Sequence, residues 1–200
     1  MGLRGDRYPA KLPPVCPPMV SQLKPLSLPL PAIVRHPLLQ TVEGTVQVFT
    51  ALHRNFFTNV MVQALRIADQ GKSVLIVQFL KGGIHQGPTQ PMQFGQNLDW
   101  IRCDMPRCIH GPEVSASEQQ SVKDLWLHTK SVVTKGRYGL VVLDELSLAV
   151  NYGLIPTQDV VDFLQQRPPQ VDVILTGPDM PDALSTVADQ VTEFRRNFLP

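Results

Sequence analysis

Short apolar runs alternate with longer segments of helical period from about residue 44 onward, and this alternation is typical of an α/β domain. The runs at residues 74–79, 140–143 and 171–175 consist almost entirely of aliphatic and β-branched side chains. Strands of this composition are covered on both faces, as in a parallel sheet. Residues 45–50 and, more weakly, residues 98–103 are predicted as further strands.

Amphipathic helices are predicted between these strands. Over residues 55–70 one face carries Phe57, Val60, Met61, Ala64, Leu65 and Ala68. Over residues 116–135, after overlapping capping patterns at residues 115–118 and 117–120, one stripe carries Val122, Leu125, Trp126, Thr129 and Val133. Two later helices are predicted to begin at Pro156–Thr157, with Val160, Val161 and Leu164 facing inward, and after Asp179 and Pro181.

The first 40 residues have a different composition, because nine of the 19 prolines fall within the first 37 positions. Proline removes an amide donor and fixes φ, so neither a helix nor a central strand can run through this segment. We interpret residues 1–40 as a proline-rich N-terminal arm and residues 41–200 as one domain. Leucines within the arm could place it across the domain, a neighbouring subunit or a protein partner, and a disordered tail is equally compatible.

Charge and cysteine content narrow the function classes. The formal net charge of +1 provides no strong field for nucleic acid or an anionic membrane surface. No stretch approaches the roughly 18 apolar residues that a membrane helix needs. The three cysteines at positions 16, 103 and 108 are too few for a disulfide framework. We therefore expect a cytoplasmic protein whose partners are neither nucleic acid nor membrane.

Candidate chemistry lies directly after the predicted strands, where open parallel sheets place their sites. Residues 50–58 stand where a phosphate-binding loop would follow the first strand, and residues 78–83 follow the second. Asp144 and Glu145 follow the 140–143 strand and are similar to a Walker B element that holds Mg²⁺, or they cap a helix. Residues 176–177 form another candidate or a plain turn.

Together these segments resemble the ATP:corrinoid adenosyltransferases, which transfer the 5′-deoxyadenosyl group of ATP to the cobalt of a corrinoid. The resemblance runs from Thr45 to Glu193 and rests on residues 74–82, 140–146 with Ala149 and 152–153, 174–177, and 188–193. It implies a three-layer α/β fold of the P-loop NTPase (RecA-like) type, with a mainly parallel sheet flanked by helices. It also implies a cytoplasmic, often dimeric protein that uses ATP, Mg²⁺ and a corrinoid.

The chain departs from the family at the phosphate loop, which in the family reads Gly-Asn-Gly-Lys-Gly-Lys-Thr-Thr and corresponds to residues 51–58 here. Its three glycines are replaced by Ala51, His53 and Asn55, its second lysine by Phe56 and its first threonine by Phe57. Glycine allows backbone amides to surround a phosphate, the lysine reaches the phosphates and the hydroxyl binds Mg²⁺. The family segment near the substrate site and the family tail also differ, at residues 106–112 and 195–200.

The resemblance supplies candidate site residues. It implies a Mg²⁺ site at Asp144 and Glu145, with Glu145 catalytic if the protein is active, and nucleotide or ligand contacts from Thr50, Ala51, His53, Arg54, Asn55, Thr58, Gln78, Lys81 and Thr176. Two functions follow. One is a non-catalytic binding or regulatory homologue with a degenerate phosphate loop, and the other is an active ATP:cob(I)alamin adenosyltransferase of cobalamin biosynthesis. Whether the chain is an enzyme stays open at this point.

Several residues have competing structural interpretations. Phe56 and Phe57 either stack on a planar ligand or pack into the core and plug the former phosphate pocket. Lys81 either contacts an anionic ligand or is a solvated loop lysine. Cys103, Cys108 and His110 lack a fourth partner and are interpreted as ordinary strand and loop residues instead of metal ligands. His128 is predicted on a helix surface.

Overall fold

The computed structural model describes residues 42–84 and 86–195. The predicted proline-rich arm, residues 1–40, lies outside the described residues, so its assignment as a separate arm stays a prediction. The same holds for Cys16 and for residues 196–200 of the tail.

One seven-stranded sheet forms the centre of the described structure. Its strands lie in the order β3-β4-β2-β5-β6-β1-β7, and every neighbouring pair is parallel except β3 and β4. The strands are β1 Val46–Ala51, β2 Val74–Gln78, β3 Met92–Phe94, β4 Leu98–Arg102, β5 Leu140–Asp144, β6 Asp172–Thr176 and β7 Gln190–Phe194. The predicted mainly parallel sheet is confirmed.

Within the described residues, five helices cover the sheet: α1 Thr58–Asp69, α2 Ala116–Thr134, α3 Leu146–Asn151, α4 Thr157–Gln166 and α5 Asp182–Thr186. The buried side chains of α1 belong to one apolar cluster, and those of α2, α3, α4 and α5 belong to another. Alternate residues of β2 divide in the same way, with Val74 and Ile76 in the first cluster and Leu75 and Val77 in the second. The fold is therefore a three-layer α/β sandwich, as expected. None of the helices within the described ranges is long and apolar enough to cross a membrane.

Most predicted elements are confirmed within a few residues at each end. The α2 helix begins with a capping box in which the Ser115 side chain accepts from the Glu118 amide, so the first of the two overlapping patterns is correct and the second is wrong. All five residues of its predicted stripe are buried. On α1, by contrast, Leu65 is 42% exposed and does not belong to the inward face.

Three short elements were not predicted. The β3 strand has only three residues, all exposed, and β7 is also mostly exposed, so neither has the apolar run of a buried strand. The α3 helix has six residues and begins directly after the acidic pair, which leaves no room for a separate start signal. Pairing with β4 and with β1 stabilises the two strands, and sequence pattern alone does not reveal such pairing.

The parallel arrangement places the loops after β1, β2, β4, β5 and β6 at one edge of the sheet. The β6 strand lies between β1 and β5, so the loop at residues 52–57 and the acidic pair at the end of β5 are two strands apart. Side chains long enough to span that gap can therefore join the two loops.

Gly177 provides a test of how tightly this edge is packed. Its φ of +138° is rarely adopted by residues with a side chain, and a Cβ at this position would collide with Ser147 Oγ. We expect Gly177→Ala to lower the free energy of unfolding by about 2 to 4 kcal/mol, measured by urea denaturation. Gly111→Ala is the control, because a Cβ there meets nothing within 4 Å. An equal loss in both variants would contradict the packing argument.

Candidate functional site

The acidic pair occupies a buried, strained turn at the carboxyl end of β5. Asp144 is 0% exposed and Glu145 is 3% exposed. Glu145 has a φ of 60° and a ψ of 24°, which is a left-handed conformation uncommon for a residue other than glycine. Thr176 at the end of β6 holds the turn, because its hydroxyl donates to Asp144 Oδ1 over 2.7 Å and accepts from the Glu145 amide over 3.2 Å. Strain of this kind concentrates at functional sites.

The second oxygen of Asp144 accepts from two residues that follow or end β2. Gln78 Nε2 donates to Asp144 Oδ2 over 2.7 Å, and Lys81 Nζ lies 3.0 Å from the same oxygen. Gln78 is itself held by Arg102 at the end of β4, whose Nε donates to Gln78 Oε1 over 2.7 Å. Lys81 is therefore bound to the acidic pair and is not a solvated loop lysine.

Arg54 pairs with the other carboxylate through both of its oxygens. Its Nε donates to Glu145 Oε1 over 2.6 Å and its Nη2 donates to Glu145 Oε2 over 2.7 Å. Its Nη1 donates to the Ile109 carbonyl over 2.7 Å and to His110 Nδ1 over 3.1 Å. The hydrogen bonds to Glu145 raise the pKa of Arg54 above its ordinary value. One arginine thus joins the loop after β1, the loop after β4 and the start of α3.

All four oxygens of the acidic pair accept hydrogen bonds from the chain itself. The two negative charges of Asp144 and Glu145 face two positive charges, on Lys81 and Arg54. Mg²⁺ requires octahedral oxygen ligands and keeps several of its waters. A magnesium ion would therefore have to displace Lys81 or Arg54, and the residues as arranged do not fit that ion.

The two phenylalanines in the loop after β1 differ in exposure. Phe57 is 2% exposed and packs edge-on against Phe194, with ring centroids 5.7 Å apart, and Phe194 in turn stacks on Phe49. Phe56 is 46% exposed, and Lys81 Nζ lies 4.9 Å from the centroid of its ring. The interpretation that both residues pack into the core is confirmed for Phe57 and wrong for Phe56, whereas the plugging of a phosphate pocket stays a prediction.

Six of the predicted site residues therefore form one connected network: Arg54, Gln78, Lys81, Asp144, Glu145 and Thr176. Five others do not join it through side-chain hydrogen bonds in the part of the chain that the structure describes. Ala51 is buried at the end of β1, and the remaining four are half-buried or exposed: Thr50, His53, Asn55 and Thr58. Whether any of these residues binds a nucleotide remains a prediction.

Sequence reasoning missed Arg102, the Ile109 carbonyl and the contact of His110 with Arg54. The sequence did contain a signal for Arg102, because this residue lies near the end of a predicted strand. That strand pairs with β2, and the register places Arg102 opposite Gln78. No sequence pattern predicts the contacts of Ile109 and His110, because these residues lie in an irregular segment whose path depends on the packed structure.

Cys103 is packed in the core, and His128 lies on α2. Cys103 is 0% exposed, its Sγ donates to the Phe79 carbonyl, and burial raises the pKa of its thiol. Across residues 42–84 and 86–195, no group of three or more His, Cys, Asp or Glu side chains is placed to hold a metal ion. His128 lies on α2 and is half-buried, and burial lowers its pKa.

Comparison with known proteins gives consistent results. The family model for the ATP:corrinoid adenosyltransferases BtuR/CobO/CobP matches residues 42–197. The chain is 29% identical over 157 residues to the corrinoid adenosyltransferases of Escherichia coli strain K12 and Salmonella typhimurium, covering 78% of this chain and 79% of each relative. It is also 29% identical over 135 residues to a corrinoid adenosyltransferase of a Sinorhizobium species, covering 62% and 58% of the two chains.

The energetic role of Arg54 can be measured by a double-mutant cycle. Arg54→Leu leaves the buried Glu145 carboxylate without its cation, and we expect a loss of about 2 to 3 kcal/mol in the free energy of unfolding. The double variant Arg54→Leu with Glu145→Leu should lose less than the sum of the single changes. Arg195→Leu is the matched control, because its pair with Glu193 is exposed at the surface and should contribute nothing measurable. Additive losses in the cycle would contradict a coupled pair.

Proposed function

The chain belongs to the ATP:corrinoid adenosyltransferase family, and from that membership we propose that it is a non-catalytic member that binds a corrinoid without turning over magnesium–ATP. A binding or regulatory role fits this assignment. The corrinoid is proposed as the ligand because the relatives are named for their action on corrinoids.

The observation that carries the proposal is the pairing of the acidic residues with cations of the chain itself. Arg54 binds both oxygens of Glu145, and Lys81 binds Asp144. A bidentate guanidinium occupies one lone pair on each carboxylate oxygen and places a positive charge beside both, so a metal could not chelate Glu145 without displacing Arg54. Magnesium would have to break a buried ion pair before it could bind, which opposes its affinity.

The loop after β1, which corresponds to the family's phosphate loop, supports the same proposal. Phosphoryl-binding loops rely on glycine backbone amides, a lysine at the phosphates and a hydroxyl on Mg²⁺. The corresponding positions here hold Ala51, His53 and Asn55 for the glycines, Phe56 for the lysine and Phe57 for the hydroxyl. Phe57 is committed to the core, so it cannot turn outward without exposing apolar surface. A triphosphate at this edge would lack the preorganised charges that such sites use.

A second candidate function is an active ATP:cob(I)alamin adenosyltransferase. It is favoured by the intact network of Gln78, Asp144 and Thr176 around a strained Glu145. In that case Arg54, whose side chain is 28% exposed, would leave Glu145 to contact phosphate. Glu145→Gln should then abolish turnover.

The domain organisation, the cellular location and the oligomeric state are also proposals. Residues 41–200 would form the ligand-binding domain of a cytoplasmic protein, and residues 1–40 would form an arm available to a protein partner. A homodimer is proposed from family membership.

The deciding measurement is calorimetric titration of the full chain with ATP, with and without Mg²⁺, followed by titration with hydroxocobalamin. The Escherichia coli relative serves as the positive control in the same buffers. We expect no magnesium-dependent ATP binding and saturable corrinoid binding. Magnesium-dependent ATP affinity in the micromolar to millimolar range, about the usual range for substrates, would overturn the proposal and favour the enzyme.

A turnover assay with reduced corrinoid, ATP and Mg²⁺ makes the distinction independently of affinity. We expect no adenosylated corrinoid from the wild-type chain. Product formation that Glu145→Gln removes would establish the second candidate. Product formation that this variant leaves unchanged would contradict the proposal and would also exclude Glu145 from the reaction.

A further inference from the structure

His110 lies on a loop whose backbone is fixed at several points. The Gly83 amide donates to the Met105 carbonyl over 2.8 Å, and the Ile109 amide donates to the Leu80 carbonyl over 2.9 Å. Tyr152 Oη donates to the His110 carbonyl over 3.4 Å. The backbone before and at His110 is therefore anchored to the loop after β2 and to the end of α3.

The side chain of His110 is exposed, yet its ring is also held in place. Arg54 Nη1 lies 3.1 Å from His110 Nδ1. Arg54 itself is fixed by its bidentate pair with Glu145 and by its bond to the Ile109 carbonyl. An exposed loop side chain normally samples several rotamers, whereas this imidazole is tied to a buried ion pair.

The contact with Arg54 also determines which ring nitrogen carries the proton. A guanidinium has five N–H donors and no acceptor, so His110 Nδ1 can only accept in this hydrogen bond. The hydrogen that the ring can donate in this arrangement therefore lies on Nε2. Among the described residues no partner accepts from Nε2, which leaves an oriented donor at the carboxyl edge of the sheet.

We propose that His110 is a ligand-binding residue whose Nε2–H donates a hydrogen bond to an amide carbonyl oxygen on the corrinoid periphery, with Arg54 as its positioning residue. The inference rests on the proposed corrinoid binding and names a contact within it. The same tautomer excludes His110 as a cobalt ligand, because Nε2 has no free lone pair while Nδ1 accepts from Arg54. The ligand thus meets a donor that is already ordered, which reduces the entropy lost on binding.

Two isosteric substitutions separate the two nitrogens. In His110→Asn the amide oxygen can take the place of Nδ1 and keep the contact with Arg54, but the Nε2 donor is lost. In His110→Gln the amide nitrogen can take the place of Nε2 and keep the donor. We expect His110→Asn to weaken hydroxocobalamin binding by about five- to tenfold, as for one lost hydrogen bond, and His110→Gln to weaken it less. His128→Asn, on α2, is the control and should bind like the wild type.

The outcomes distinguish this inference from the proposed function. Absence of hydroxocobalamin binding by the wild-type chain would overturn the proposed function and the inference with it. Wild-type binding that His110→Asn leaves unchanged would overturn the inference alone. A second readout needs no ligand, because imidazole ¹⁵N chemical shifts at pH 8 report the tautomer directly. We expect an unprotonated Nδ1 and a protonated Nε2, and the opposite tautomer would overturn the role of Arg54.

Discussion

The bidentate pair between Arg54 and Glu145 is the interaction on which the carboxyl edge of the sheet depends. Glu145 is buried and adjoins a second buried carboxylate, and two such charges are unfavourable without cations close by. Arg54 supplies one cation and, through its remaining donors, connects the loops after β1 and β4. The order of these loops therefore follows from electrostatic neutralisation of the acidic pair within the chain.

The pairing of the two acids with cations of the chain differs from the arrangement in a typical phosphate-binding site, where the acids bind a metal ion. In a typical phosphate-binding site the acidic side chains bind a metal ion together with the nucleotide, and the loop binds the phosphates. Here Arg54 and Lys81 already lie on the acids, and Phe57 lies in the core. The charges of the two acids are therefore neutralised by the chain itself, without a metal ion or a nucleotide.

The packing of the central sheet and its helices does not depend on most of the residues in the loop after β1. Five of its strands, β1, β2, β4, β5 and β6, and both helical layers are stabilised by apolar packing on the two faces of the sheet. Of the loop residues 51–57, Ala51 and Phe57 contribute to that packing. The polar residues Gln78, Asp144 and Thr176 lie at the ends of strands, where backbone pairing sets their spacing. The family fold can therefore form whatever residues occupy the exposed part of this loop.

The sequence by itself determined the helices α1, α2, α4 and α5, the buried strands, the family and the location of the acidic pair, because these depend on local periodicity and on motifs contiguous in the chain. It also indicated that Arg54, Gln78, Lys81 and Thr176 belong at the same edge. Only the tertiary structure decided that Arg54 pairs with Glu145, 91 residues away, and that Phe57 is buried while Phe56 is exposed. Those outcomes depend on the order of strands in the sheet and on competition for space and charge between distant segments, which no local pattern encodes.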